Sequence, residues 1–350
     1  GYEKESAVGQ TGWNLIEEFL THNPINMGPN WMSGQEVALR ILALVFFHEV
    51  FNDVSYMPRG WEDKLGQTVI AHARRISSTL VYAQSQQNNH LLVEAAGLYT
   101  AGVFLPEQAE AEKWRTTGWQ IFHQAINFQI QLDGTYCQFS TNYHRLMLQI
   151  SLWMRAIGLR YGDEFPERSL IKLASATNWL KNLTHPQTGR VPNYGNNDGA
   201  YIIPLTSKSF QDFRPVNQAC NYFFLGEHAQ PINEMTFWFK WLAGDAIIGK
   251  QPTLQLTPIT SYQKLVNQNT SGFMFAPKFT SRPGQADILQ TEIWQDGKPI
   301  TLDPGTYSYN NAPPWDNTLR RTKYHNTVTV NEEDQMQRAG RFLWLDWPKV

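Results

Sequence analysis

Residues 33–51 read Ser-Gly-Gln-Glu-Val-Ala-Leu-Arg-Ile-Leu-Ala-Leu-Val-Phe-Phe-His-Glu-Val-Phe. Ser33 followed three residues later by Glu36 has the spacing of a capping box, in which each side chain satisfies an orphan backbone N–H at a helix start. The body that follows, with Val37, Leu39, Ile41, Leu42, Leu44, Val45 and Phe46, is apolar almost all round. Such a helix is buried on most of its faces, so other helices must surround it. Outward from it, further helical stretches are expected at about 62–84, 90–103, 107–131, 141–161, 166–183, 215–227 and 231–247. Pro106, Pro166, Pro186 and Pro231 stand at or near their borders. No strand alternation intrudes. A succession of paired antiparallel helices with buried inner members suits an α/α toroid better than a four-helix bundle, which needs fewer helices.

After Gly249 the pattern changes. Pro252, Pro258 and the Thr/Gln-rich stretch between them break the helical period. Short runs at Ser271 to Phe279, Asp287 to Trp294, Pro299 to Leu302, Thr327 to Val330 and Phe342 to Trp347 then read as strands, with Asp296-Gly297 as a hairpin turn. The expectation is a helical domain over 1–250 and the start of an antiparallel β-domain over 251–350. Both ends of the chain look abrupt, which suggests a part of a longer protein.

Composition limits the function. With 42% hydrophobic residues and only 17% charged, the chain can bury a large core. A formal net charge of −2 and the lack of like-charge blocks give no purchase for nucleic acid or for a membrane surface. No apolar run is long enough for membrane insertion. Cys137 and Cys220 are too few for a disulfide framework and lack metal-ligand spacing. No P-loop or dinucleotide fingerprint occurs, so no nucleotide or redox cofactor is expected. The aromatic content of 13%, including 13 Trp, suits a sugar-binding cleft as well as a helical core.

Three polar clusters sit where an apolar helical pattern needs none. The first is Asn88-Asn89-His90 with Glu94, where an asparagine N-cap accounts for one residue and leaves His90 unexplained. The second is Asp133-Gly134-Thr135-Tyr136 leading into Ser140-Thr141-Asn142-Tyr143-His144-Arg145, of which capping explains only Ser140 or Thr141. The third is Asn193-Tyr194-Gly195-Asn196-Asn197-Asp198-Gly199, a glycine-bracketed loop that alone would be ordinary.

The order of these clusters resembles the heparinase II/III and alginate lyase group of polysaccharide lyases. Leu302-Asp303-Pro304-Gly305-Thr306-Tyr307 and Tyr324-His325-Asn326-Thr327-Val328 resemble two of that family's β-domain signatures, in family order. The resemblance implies an incomplete α/α toroid followed by an antiparallel β-sandwich, and cleavage of a uronate-containing polysaccharide by β-elimination to a 4,5-unsaturated product. It implies that Asn89 and His90 meet the substrate carboxylate and stabilise the enolate-like dianion, and that Tyr143 is the catalytic tyrosine. Tyr143 would protonate the leaving oxygen and, in a syn elimination, act first as base; in an anti elimination His90 would be the base. A phenol whose ordinary pKa is about 10 needs help to act as base, and His144 or Arg145 are the nearby candidates. Asn88, Glu94, His144, Arg145, Asn196, Asp198, Tyr307 and Tyr309 are expected to bind substrate.

Departures from the family pattern matter too. Relatives carry a His-x-His-Ala-Asp signature where this chain has Pro283-Gly284-Gln285-Ala286-Asp287. Asp303 and His325 keep two ligand positions of a structural zinc, but Gln285 stands at the third, and an amide oxygen is a poor zinc ligand. The sequence therefore argues against an intact zinc site. With one histidine missing from the centre, Tyr307 and Tyr309 become candidates for a substitute hydroxyl. Two other functions compete. A glycoside hydrolase would need a carboxylate pair drawn from Glu94, Asp133 and Asp198, and a non-catalytic glycan-binding protein would keep the cleft without turnover. A glycan substrate implies a secreted or periplasmic location. Nothing in the sequence bears on oligomeric state.

Overall fold

The computed structural model describes residues 2–51, 57–244 and 257–349. The chain divides into two compact units, residues 1–125 and 126–350. The first holds helices α1 (Tyr2–His22), α2 (Gly34–Phe51), α3 (Trp61–Gln86), α4 (Asn89–Phe104) and most of α5 (Ala111–Gln129). The stretch that opens at Ser33 is indeed a buried helix: Val37, Ala38, Ile41, Leu42, Leu44 and Val45 of α2 are all in the core. It packs on α3 and α4, and α4 is buried along almost its whole length. Close approach is possible because Gly97 of α4 faces Ala38, where a Cβ on the glycine would sit 2.7 Å from the alanine Cβ.

The second unit combines helices α6 (Thr141–Tyr161), α7 (Glu167–Leu183), α8 (Arg214–Cys220) and α9 (Glu234–Ala243) with the strands. A four-stranded antiparallel sheet runs in the order β1 (Tyr262–Asn267), β2 (Thr270–Phe275), β3 (Gln290–Gln295), β4 (Lys298–Thr301). A hairpin of β5 (Gln337–Gly340) and β6 (Leu343–Leu345) follows. Asp296 and Gly297 turn β3 into β4 with both residues at positive φ, 50° and 69°, the two-residue hairpin geometry that their types favour.

A buried carboxylate ties the helices of this unit to its sheet. Asp133 Oδ1 accepts from Thr135 N, and Oδ2 accepts from Thr260 N, Thr260 Oγ1 and Ser261 N. Those bonds overcome the cost of burial and hold the carboxyl below its ordinary range. Gly134 beside it has φ +93°, and a Cβ there would lie 2.2 Å from the Ser175 carbonyl oxygen. On the same seam Trp179 donates its indole N–H to Ser261 Oγ at 2.8 Å, and the Tyr262 hydroxyl donates to Trp179 O at 3.1 Å.

Several expected elements shift. The stretch at 327–330 is not a strand: Val328 and Val330 are exposed, and Thr327 Oγ1 donates back to the Ile288 carbonyl. Strand β1, which the sequence pattern does not reveal, is a sheet-edge strand with only Tyr262 buried, so it carries no apolar alternation. The helix expected at 215–227 is α8 closed by a π-turn over Asn221–Leu225. The last helix ends at Ala243, and the expected boundary at 250/251 lies outside the described residues.

Candidate active site

Tyr143 stands on the first turn of α6, and its surroundings are built by local capping. Ser140 is the N-cap: its Oγ accepts from Tyr143 N at 3.1 Å and donates to Asn196 O at 2.5 Å. Thr141 N donates to Tyr194 O at 3.0 Å. These bonds sew the helix start to the 193–199 loop. Gly195 is needed there, since φ is +77° and a Cβ would come within 2.0 Å of the Phe139 carbonyl oxygen. The stitching brings Asp198 to the tyrosine, whose hydroxyl donates to Asp198 Oδ2 at 2.7 Å. The loop holds that carboxylate from its other side, through Ala200 N on Oδ1 at 3.1 Å.

Tyr309 adjoins the pair, its phenol close enough to act electrostatically on that of Tyr143. Burial, reinforced by Tyr309 and Asp198, drives the Tyr143 phenol far above the ordinary tyrosine range. Burial, with Asp198 adding to it, pushes Tyr309 up to about 12. Tyr307, by contrast, is 67% exposed and packs on Trp315. Of the two tyrosines singled out in this segment, only Tyr309 reaches Tyr143.

His144 and Arg145 follow Tyr143 in sequence but are turned into the protein. His144 is 1% exposed, stacks on Trp179 and bonds to the Ala176 carbonyl oxygen. Burial lowers its pKa to about 4, so it is neutral at physiological pH. The Arg145 guanidinium lies 4.2–4.4 Å from the ring centroids of Tyr201, Phe210 and Phe213, and donates to Asn142 Oδ1 and to Phe210 O. Neither is among the groups that shift the Tyr143 phenol, so the sequence expectation that they depress it is corrected: the environment raises it. Asn196 contributes its backbone carbonyl to Ser140, and its side chain lies against Gly284.

In the first unit, Asn88 is the N-cap of α4, its Oδ1 accepting from His90 N. Asn89 is buried and donates to Gln35 Oε1. Burial pulls the His90 imidazole below its ordinary range despite the nearby Glu36 carboxylate. Glu94 is 2% exposed, with its carboxyl against Gly34 at the start of α2. Burial raises it to about 7, although Arg75 pulls the other way. Of the hydrolase carboxylates, Asp133 has both oxygens occupied by the seam and Glu94 is buried.

A further group of ionisable side chains lies beneath the strands. Ligand-capable atoms of Asp287, Asp303 and His325 all fall within 4.8 Å of one another, all buried. Asp287 Oδ2, Asp303 Oδ2, both His325 ring nitrogens and the nearby Gln285 Oε1 are buried and make no hydrogen bond. His325 Nδ1 lies 3.3 Å from Asp303 Oδ2. Burial pulls the His325 imidazole down, but the Asp303 and Asp287 carboxylates outweigh it and raise the pKa; burial pushes Asp287 up. So many unsatisfied buried donors and acceptors are costly unless a cation sits among them. Two carboxylates and an imidazole fit a divalent metal ion. The sequence argument counted Gln285 as the missing third ligand and overlooked Asp287, two residues on in the same signature.

Comparison with known proteins places this geometry. The family description "Heparinase II/III N-terminus" matches residues 17–222, and "Heparinase II/III-like, C-terminal" matches residues 252–350. A heparin-sulfate lyase of Bacteroides stercoris is 27% identical over 278 residues, 74% of this chain and 38% of its own length. One of Bacteroides thetaiotaomicron is 24% identical over 95% of this chain and 49% of its own. The chain thus spans less than half the length of these relatives. A crystal structure of heparinase III superposes with a TM-score of 0.66 at 20% identity, covering 94% of this chain and 52% of that one. A heparan sulfate lyase of Pedobacter heparinus superposes with a TM-score of 0.57. The fold class is the one expected, an incomplete α/α toroid followed by an antiparallel β-domain. With both family regions matched in order, the chain belongs to the heparinase II/III family.

Proposed function

We propose that this chain is the catalytic part of a polysaccharide lyase that cleaves an acidic, uronate-containing glycan by β-elimination. The observation that carries the reading is the Tyr143–Asp198–Tyr309 cluster, a half-buried phenol held protonated and oriented by a carboxylate. Family membership supports it, as do relatives that are themselves heparin-sulfate lyases. A location outside the cytoplasm follows from such a substrate.

The difficulty in this chemistry is the C5 proton, which is only weakly acidic beside a carboxylate. The family resemblance assigns Asn89 and His90 the role of neutral donors to the substrate carboxylate, stabilising the charge that develops on it. A base removes the C5 proton, the C–H electron pair forms the C4–C5 double bond, and the C4–O bond breaks. The departing oxygen then takes a proton. Tyr143 is the group that carries such a proton, its phenol protonated at neutral pH and its hydroxyl placed by Asp198. Two groups can serve as base. The family resemblance makes His90 one of them, its imidazole held below the ordinary range by burial. Tyr143 accepts one only if its own proton moves to Asp198 in the same step and returns afterwards.

Asp287, Asp303 and His325 would hold a divalent cation that ties the 283–287 segment to the strand ends, a structural role away from the Tyr143 hydroxyl's proton transfers. The test of function is absorbance of the unsaturated product near about 230 nm, which hydrolysis does not generate. A panel of uronate glycans should give a rise with the wild-type chain and none with Tyr143→Phe. A wild type that binds these glycans yet produces no absorbance would sink the reading.

A further inference from the structure

A separate concavity of the second unit is unassigned. It encloses about 290 Å³ and is lined by Arg190, Asn193, Asn197, Gln211, Phe210 and Trp294, among others. That volume is near the lower end of small-molecule sites and suits one pyranose ring. Its walls mix the half-buried Phe210 ring with polar side chains, of which Asn193 and Asn197 bond to each other and so hold the polar wall in place. Among the described residues, no hydrogen bond or ion pair involves the Arg190 guanidinium, although every other ionisable group in the wall is engaged. The carboxylate there, Glu292, is spoken for: it accepts from Asn193 N, Asp303 N and the Trp294 indole.

The position of Arg190 is fixed by its backbone. His185 N donates to Arg190 O at 2.8 Å, Gly189 N to His185 O, and Phe213 N to Gly189 O. Gly189 has φ +72° and a Cβ there would meet Asp212 Oδ1 at 1.9 Å, so this turn is pinned against the 212–214 segment. The aromatic wall is equally fixed, since the guanidinium of Arg145 is held against both Phe210 and Phe213 from within. The cavity also adjoins the Tyr143 centre through shared elements. Thr141 in its wall opens the helix that carries Tyr143, and Asn197 precedes Asp198.

We infer that this cavity is a subsite for one anionic sugar residue, its acidic group paired with Arg190 and its ring against Phe210. The acidic group is a carboxylate or a sulfate ester, both of which a guanidinium grips through two parallel hydrogen bonds. As a glycan subsite, the inference rests on the lyase reading, and it makes Arg190 a determinant of specificity with no part in proton transfer.

The test measures binding and turnover separately. Saturation-transfer NMR on the full chain uses glucuronate, N-acetylglucosamine 6-sulfate and neutral glucose as probes, with wild type, Tyr143→Phe, Arg190→Ala and Arg190→Lys. The expected result is binding of at least one acidic probe but not of glucose, unchanged in Tyr143→Phe, weakened in Arg190→Lys, and reduced about 10- to 100-fold in Arg190→Ala, the loss of a hydrogen-bonded charge pair. Which acidic probe binds identifies carboxylate or sulfate. On a polymer that the wild type cleaves, Arg190→Ala should raise KM with kcat little changed. Equal binding of the acidic probes by wild type and Arg190→Ala, or no binding by wild type, overturns the subsite; thermal melts exclude misfolding of the variants. A wild type that makes no unsaturated product refutes the lyase reading instead, and the probe binding still decides the subsite.

Discussion

The hydroxyl of Tyr143 donates to Asp198 Oδ2 at 2.7 Å, joining the first turn of a helix to a loop 55 residues later in the chain. Two polar clusters that look like separate features in sequence are therefore one centre. The bond also favours one proton state of the tyrosine, because a carboxylate beside a half-buried phenol disfavours the phenolate.

Asp198→Asn tests what the carboxylate does. An amide keeps the shape and can still hydrogen-bond the hydroxyl, but it cannot take up a proton. If Tyr143 passes its proton to Asp198 while acting as base, kcat should fall about 10²- to 10⁴-fold with KM little altered, the usual size of a lost acid–base contribution. If His90 is the base, Asp198→Asn loses far less rate, while His90→Ala loses far more.

Much of this arrangement is legible in the sequence. The apolar body of 33–51, the capping Ser140 and the Asp296-Gly297 turn each depend on neighbours a few residues away, so local pattern suffices to find them. Tyr143, Asp198 and Tyr309 are identifiable as residues but not as a cluster, because what joins them is the stitching of Thr141 and Ser140 to a distant loop and of that loop, through Asn197 N, to Thr306 Oγ1. Arg145 shows the opposite failure. A charged residue next to a tyrosine reads as a partner for it, yet on a helix adjacent residues point in different directions, and its guanidinium is caged by three rings. Strand β1 is invisible for want of a buried face, and Asp287 is overshadowed by the histidine missing two residues before it.

Glu94 makes stability depend on pH in a stated direction. Its carboxyl titrates at about 7 in the folded chain, above its value of 4.5 unfolded. The folded state therefore binds the extra proton between those values, and stability is full below the unfolded pKa and declines as pH rises through about 7. The difference corresponds to roughly 3 kcal/mol at alkaline pH, to order of magnitude. Glu94→Gln cannot ionise, so its melting temperature relative to wild type should climb between pH 5 and pH 8. A constant offset across that range would contradict the buried-carboxyl account.

Metal removal gives a third test. A bound cation would be ligated by Asp287, Asp303 and His325 and offset their buried charge; without it, only the raised proton affinities of Asp287 and His325 do so. Exhaustive chelation should lower the melting temperature, and zinc or another divalent ion should restore it. Elemental analysis should find close to one ion per chain in the wild type and little in Asp287→Asn, whose melt should no longer respond to chelator. Full metal content in Asp287→Asn would show that Asp287 is not a ligand.

Arg145→Lys separates packing from substrate contact. The planar guanidinium lies over three aromatic rings and donates to Asn142 and Phe210, and burial lowers its pKa to about 10. An ammonium is a compact, strongly hydrated charge that cannot cover those rings or reach both acceptors together. The substitution should cost about 2–4 kcal/mol in chemical denaturation, the loss of desolvated cation–π contacts and of a satisfied charge. Because Phe210 and Phe213 also line the cavity beside Arg190, sugar binding should weaken in the same variant. A substrate ligand would behave differently. If Arg145→Lys raised KM while the denaturation midpoint stayed at the wild-type value, the side chain would be contacting glycan and not holding the wall.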